Sequence, residues 1–255
     1  MNLHYECSGK GSPLIILHGL FGSLDNWRTM SRKLSSHFQV FSIDLRNHGK
    51  SPRSDTFNYQ LMTEDLKVFV NRHSLYPVCL LGHSMGGKVA MQFAVTWPGL
   101  IEKLVVVDIS PKDYQPRHAE ILQRLLSINL NHYSERMEMD KALSVTIPDY
   151  ATRQFLLKNM VQTNNGGFAW RFNLKSIARH YGDIIKGIDG DICCDKPTLF
   201  LKGERSDYMQ KEDLVKIYRL FPHARMAIVP NAGHWLHMDA PTEFLTAVLE
   251  FLQTS

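Results

Sequence analysis

Apolar residues fall along this chain in two rhythms. Short blocks recur at Leu14-Ile15-Ile16-Leu17, Val78-Cys79-Leu80-Leu81, Leu104-Val105-Val106-Val107 and Thr198-Leu199-Phe200-Leu201. Weaker ones stand at Val40-Phe41-Ser42-Ile43 and Met226-Ala227-Ile228-Val229. Blocks this short and this apolar predict strands, the strongest of them covered on both faces. Between the blocks, apolar positions return every three or four residues, the spacing of one helix face. Trp27, Met30 and Leu34 mark a helix over Asp25 to Leu34, and Leu61, Leu66, Phe69 and Val70 another over Asn58 to Asn71. Val89, Ala90, Phe93, Ala94 and Trp97 mark a third, which stops near Pro98-Gly99. Leu214, Ile217, Tyr218 and Leu220 mark a fourth; a last one runs from about Pro241 to Leu252, with proline suited to its first turn. Alternating strands and helices predict an α/β fold, a mostly parallel central sheet flanked by helices. Leu3, Tyr5 and Cys7 alternate with polar residues and read as an edge strand.

The rhythm changes at Lys112. From there to about Gly190 the spacing is helical, with many polar and aromatic residues and no strong buried strand. Ile121, Leu122, Leu125, Leu126 and Ile128 fit one helix; Phe155, Leu156, Leu157, Met160 and Val161 fit another. Asn164-Asn165-Gly166-Gly167 reads as a turn leading into Phe168-Ala169-Trp170-Arg171-Phe172-Asn173. The expected organisation is one core domain, residues 1–111 and 191–255, carrying a helical cap over residues 112–190 that shapes a pocket.

Composition narrows the function. At 255 residues the chain can bury one large core, and 44% hydrophobic with 21% charged residues is the balance of a soluble globular protein. The net charge of +4 is mild and its lysines and arginines are scattered, so nothing points to nucleic acid or an anionic membrane surface. No apolar stretch approaches the ~18 residues of a membrane span. The first residues show no secretory signal, and Cys7, Cys79, Cys193 and Cys194 have neither zinc-ligand nor disulfide-framework spacing. Reduced thiols and a cytoplasmic location are the expectation. A small-molecule partner, with the chain as monomer or homodimer, completes that reading.

The chemistry lies at the strand ends. Gly82-His83-Ser84-Met85-Gly86 is a G-x-S-x-G pentapeptide with an apolar strand before it and a helix after it. A serine there occupies a sharp, strained turn, with its hydroxyl exposed at a helix N-terminus. Gly82 to Lys88 also fits the start of a phosphate-binding loop, but Val89 stands where a Ser or Thr must hold magnesium. His18-Gly19-Leu20-Phe21-Gly22-Ser23 follows another strand. The N–H of Leu20, or alternatively Phe21, together with that of Met85, can form an oxyanion hole. His18 itself reads as architectural, and Asp44 and Arg46 as structural residues that fix each other in a tight loop. A serine needs a base, and the base needs an acid to orient it. Among 12 histidines, His234 is the best base, in a glycine-bearing loop directly after the last strand. His237 is a rival, and His83 is expected to point away. For the acid, the usual position after the strand ending at Gly203 is Ser206, with Asp207 one residue late. Asp108, at the end of the preceding strand, is preferred, and Asp207 stays the alternative. Ser206 is then a second hydrogen-bonding neighbour of the histidine.

Taken together, His18-Gly19-Leu20-Phe21-Gly22-Ser23, Asp44-x-Arg46-Asn47-His48-Gly49-x-Ser51-Pro52, Gly82-His83-Ser84-Met85-Gly86-Gly87-Lys88 and Gly233-His234-Trp235 resemble the α/β-hydrolase family. Within it the chain is similar to the YbfF-type bacterial esterases and their mitochondrial relatives, a likeness that Asp108-Ile109-x-Pro111-x-Asp113-Tyr114 and Trp170-Arg171-Phe172-Asn173 carry into the cap. The resemblance implies a broad-specificity serine carboxylesterase with Asp108 as its acid, acting on esters and on thioesters such as acyl-CoA. Such chemistry requires no metal and no organic cofactor. Phe21, Tyr114, Trp170, Arg171, Ser206 and Trp235 are the expected pocket residues. The competing readings are C–C bond hydrolysis on the same triad and a ligand-binding protein with slow turnover.

Overall fold

The computed structural model describes residues 1–163, 166–188 and 193–254. In chain order the core opens with β1 (Tyr5–Ser8), β2 (Pro13–Leu17), α1 (Arg28–Leu34), β3 (Gln39–Ile43), α2 (Tyr59–Arg72), β4 (Val78–His83), α3 (Met85–Thr96) and β5 (Ile101–Val107). The segment expected to form the cap follows as α4 (Ala119–Ser127), α5 (Arg136–Ser144), α6 (Tyr150–Leu157), β6 (Met160–Gln162), β7 (Phe168–Trp170), α7 (Leu174–Arg179) and α8 (Tyr181–Ile184). The core resumes with β8 (Thr198–Gly203), α9 (Leu214–Leu220), β9 (Ala224–Val229), α10 (Leu236–Asp239) and α11 (Pro241–Gln253).

Seven strands form one sheet in the order β1-β3-β2-β4-β5-β8-β9. All neighbours are parallel except β1, which pairs antiparallel with β3 at the edge. Strand residues alternate between two layers, as a period of two requires. Ile15, Leu17, Leu80, Leu104 and Val106 join α2 and α3 on one face. Leu14, Ile16, Leu81, Val105 and Val107 join Met30 and Leu34 of α1 and Phe244 and Val248 of α11 on the other. Both faces are covered, which is why these strands are apolar throughout. Each fully buried side chain of this kind contributes roughly 1.5–3 kcal/mol.

The insertion is not wholly helical. Phe155 to Leu157 end α6, while Met160 and Val161 leave the helix and pair with Trp170 and Ala169 in an antiparallel hairpin. Strands of three residues are too short to show a period of two, so spacing alone assigns them to the neighbouring helix. Asn164 and Asn165 of the expected turn, and the expected core boundary at 190/191, lie outside the described residues.

The cap is tied to the core at several points. Asn173 Nδ2 donates to Asn47 Oδ1 at 3.0 Å, Asn47 Nδ2 to Ser176 Oγ at 3.1 Å, and Arg53 Nη2 to the Trp170 carbonyl at 2.8 Å. Where the cap joins the core, Ile188 N–H donates to the Pro111 carbonyl and Tyr114 N–H to the Ile185 carbonyl, both at 2.8 Å. Lys88 of α3 lies beneath this junction, 1% exposed, and its Nζ donates to the carbonyls of Lys112, Ile185 and Lys186. Burial lowers its pKa to about 7. Asp44 and Arg46 are structural, but not as a pair. Asp44 accepts from the N–H groups of Leu24 and Lys50, while Arg46 Nε meets Asp65 Oδ2 at 2.6 Å.

Candidate active site

Ser84 occupies the turn between β4 and α3 with φ 52° and ψ −118°. This is a left-handed conformation that costs a side-chain-bearing residue about 1–3 kcal/mol and survives only when its surroundings enforce it. The enforcement is close packing. A Cβ on Gly82 would lie 2.3 Å from the Gly86 carbonyl oxygen, and one on Gly86 would lie 2.5 Å from that of Leu17. Only glycine lets strand and helix approach this closely.

Asp108 follows β5, is fully buried, and also has a positive φ of 51°. Its Oδ1 accepts the N–H of Gly203 at 3.0 Å. Its Oδ2 accepts from His234 Nδ1 at 2.7 Å and from the Ser206 hydroxyl. Ser206 thus braces the carboxylate rather than the histidine. Because Nδ1 carries the proton toward the carboxylate, Nε2 of His234 is the acceptor nitrogen. Tyr208 stacks on the imidazole at 3.8 Å between ring centroids and 14° between planes. From beneath, His83 Nε2 donates to the His234 carbonyl at 2.8 Å. His83 thereby supports the loop that carries His234.

Asp207, the alternative acid, points elsewhere. Its carboxylate is 2.6 Å from Arg117 Nη1, and that guanidinium holds its pKa below the usual value. The one-residue offset from Ser206 turns the side chain to the rim. His237 stacks on Trp27 at 4.2 Å, and among the described residues neither of its buried ring nitrogens has a hydrogen-bond partner.

Across from the turn that carries Ser84, two neutral histidines set the turn after β2. His18 Nε2 accepts the Leu45 N–H at 3.0 Å while Nδ1 donates to the Gly19 carbonyl at 2.8 Å. His48 Nε2 accepts the Phe21 N–H at 3.2 Å and its Nδ1 donates to the Arg46 carbonyl. Burial lowers the first to a pKa of about 4 and the second to about 3. The Phe21 N–H is thereby occupied, and Asn159 of the cap donates to the Phe21 carbonyl at 2.7 Å. Phe21 is thus excluded as the oxyanion donor. Among the described residues, nothing accepts from the Leu20 N–H or from the outward N–H of Met85 at the start of α3.

Ser84 and His234 face one cavity of about 520 Å³, lined also by Leu20, Phe21, Phe155 and Trp235. Among the described residues, no hydrogen bond joins the serine to the imidazole. Such bonds commonly tighten only when substrate arrives. A second, smaller space of about 50 Å³ opens on the other side of Ser84, beside Met85 and Tyr114. Of the expected pocket residues, Phe21 and Trp235 line the first space and Tyr114 the second, while Trp170, Arg171 and Ser206 line neither. Trp170 stacks on Phe172, and Arg171 pairs with Asp25 at 2.7 Å, so both fasten the cap. Arg117, His118, Ile121, Phe155 and Tyr208 line the site without being foreseen. Tyr208 had a signal, two residues beyond Ser206; the cap residues had none, because their neighbours are distant in sequence.

A family model described as the alpha/beta hydrolase fold matches residues 12–241. The chain belongs to the α/β-hydrolase family. This hydrolase is 40% identical to the "sn-1-specific diacylglycerol lipase ABHD11" of Danio rerio, over 99% of its own length and 83% of that protein's. It is 34% identical to "Esterase YbfF" of Escherichia coli, over 95% and 94% of the two chains. Among solved structures, a "Marine microorganism esterase" superposes on the hydrolase with a TM-score of 0.95 and 42% identity, covering 98% of each. Among the described residues, no helix of the hydrolase is long and apolar enough to cross a membrane.

Proposed function

We propose that this hydrolase is a serine carboxylesterase that works through an acyl-enzyme on Ser84, with His234 as base and Asp108 as the acid that orients it. The observation that carries the reading is the 2.7 Å bond from His234 Nδ1 to Asp108, with Nε2 left to face the cavity that Ser84 enters. The names printed for the relatives, esterase and lipase, support ester hydrolysis. His234 takes the Ser84 proton as Oγ attacks the acyl carbon. The N–H groups of Leu20 and Met85 hold the oxyanion, and the imidazolium then protonates the departing alcohol. Water, activated by the same imidazole, releases the acid. Thioesters fit the same steps, since the leaving sulfur needs less help from the acid. Residues 112–190 act as the cap of this site.

Ser84→Ala is expected to lower kcat on p-nitrophenyl butyrate by about 10⁴-fold or more. A fluorophosphonate probe is expected to label the wild type once, on Ser84. Full activity in the variant, or no labelling of the wild type, would overturn the proposal.

A further inference from the structure

The two spaces flanking Ser84 are unequal, and the catalytic groups are divided between them. His234 lines only the larger, of about 520 Å³; Met85 lines only the smaller, of about 50 Å³. Leu20, Ser84, Arg117, His118 and Tyr208 border both and mark where they meet. We infer that the small space receives the acyl chain and the large one the alcohol, so that the enzyme selects short acyl groups and tolerates bulky leaving groups.

The assignment rests on the esterase reading above and on proton transfer. When Ser84 Oγ bonds to the acyl carbon, the bond from that carbon to the alcohol oxygen must break. The proton taken from Oγ must pass through His234 Nε2 to that oxygen. The alcohol therefore lies beside His234, in the large space. The oxyanion points to Leu20 and Met85. The remaining substituent, the acyl chain, has the space on the Met85 side.

That space is small and its walls are held. A water occupies roughly 10–15 Å³ on the same scale, so about 50 Å³ admits some three to five non-hydrogen atoms beyond the carbonyl. This corresponds to acyl groups up to about butyryl or hexanoyl. Tyr59 donates its hydroxyl proton to the Ile184 carbonyl at 2.6 Å, and Tyr114 to the Tyr208 carbonyl at 2.7 Å. Tyr181 accepts the His118 N–H at 2.9 Å. Ile109 packs so tightly on α3 that a Cβ on Gly87 would lie 2.6 Å from its Cγ2. Widening the space means breaking hydrogen bonds between core and cap. By contrast, the large space is bounded by cap side chains such as Ile121, Phe155 and Leu156, apolar surface suited to an extended alcohol.

The test is a pair of ester series. With p-nitrophenol as the constant leaving group, kcat/KM is expected to peak between acetyl and hexanoyl. By octanoyl and decanoyl it should fall at least tenfold, as a methylene with no room is discriminated by about 10-fold or more. With acetyl constant and the alcohol lengthened from methyl to octyl, kcat/KM is expected to hold or rise. Ile184→Ala is expected to raise the octanoyl-to-butyryl ratio by about tenfold. An optimum at octanoyl or longer, or loss on lengthening the alcohol, overturns the assignment. So does an unchanged ratio in a folded Ile184→Ala. If Ser84 is labelled stoichiometrically while those results appear, the esterase reading stands and only the division of the site is wrong. Absence of labelling removes both.

Discussion

Two side chains at strand ends, Ser84 and Asp108, are held at positive φ, and both belong to the triad proposed above. The strain aims the serine hydroxyl out of the turn and the carboxylate across the ends of β5 and β8 to His234. Asp108→Asn keeps the shape but removes the charge that favours the imidazolium and the correct tautomer. It is expected to lower kcat about 10⁴-fold. Asp207→Asn, which breaks only a rim pair with Arg117, is expected to change kcat less than about threefold, since exposed ion pairs are weak. Steady-state kinetics on one ester checks both. His237 offers a prediction about stability. Burial and the neighbouring His234 lower its pKa to about 3. Above its ordinary value near 6.5 it is neutral in both folded and unfolded chains. Below that, only the unfolded chain takes up the proton, so stability falls with pH, by about 1.4 kcal/mol per unit until pH 3. His237→Phe removes this loss and two unpartnered ring nitrogens. Denaturant unfolding at pH 5 is expected to show the variant more stable by about 2 kcal/mol, with a smaller gain at pH 7.5. Ser84, His234 and Asp108 could be singled out as candidates in advance because each sits at a fixed offset from a strand that the apolar pattern reveals. Arg117 and Asn159 could not, since they are placed by partners 90 and 138 residues away.

Among the elements, α3 joins the site to the cap. It begins directly after Ser84, and one turn later it sends Lys88 under the two chain segments that connect cap and core. An ammonium with three donors matches three carbonyls there, two from Ile185 and Lys186 and one from Lys112. Lys88→Met leaves those carbonyls without that donor. Hydrogen exchange at the Tyr114 and Ile188 amides is expected to accelerate by about five- to tenfold, the effect of ~1–1.4 kcal/mol of lost local stability. Rates equal to wild type would mean that the clamp does not hold the junction. Sequence spacing finds α3 and its strand with ease. It misses the hairpin of β6 and β7, whose pairing rests on a register between residues six to ten apart and on burial of Phe168 and Trp170.

At the scale of the whole molecule, the alternation of apolar blocks and helical spacing is enough to read the layered core, because both faces of the sheet are filled by the same chain in a repeated order. The cap resists such reading. Its residues answer to the core surface they cover, through Asn159 on Phe21, Arg171 on Asp25 and Asn173 on Asn47. The same topology places Ser84, Leu20, Met85 and Asp108 before the cap and His234 after it. Within the seven-stranded sheet the two groups are joined by the pairing of β5 with β8, from Leu104 opposite Thr198 to Val107 opposite Leu201. Chain continuity through the cap is therefore not what holds base to nucleophile. A backbone cut beside Val145, exposed between α5 and α6, would turn one covalent molecule into a heterodimer, its two unequal fragments zipped along one strand pair, packed through α1 and α11, tied by the bonds of Asn159, Arg171 and Asn173, and bringing Ser84 and His234 together across the seam.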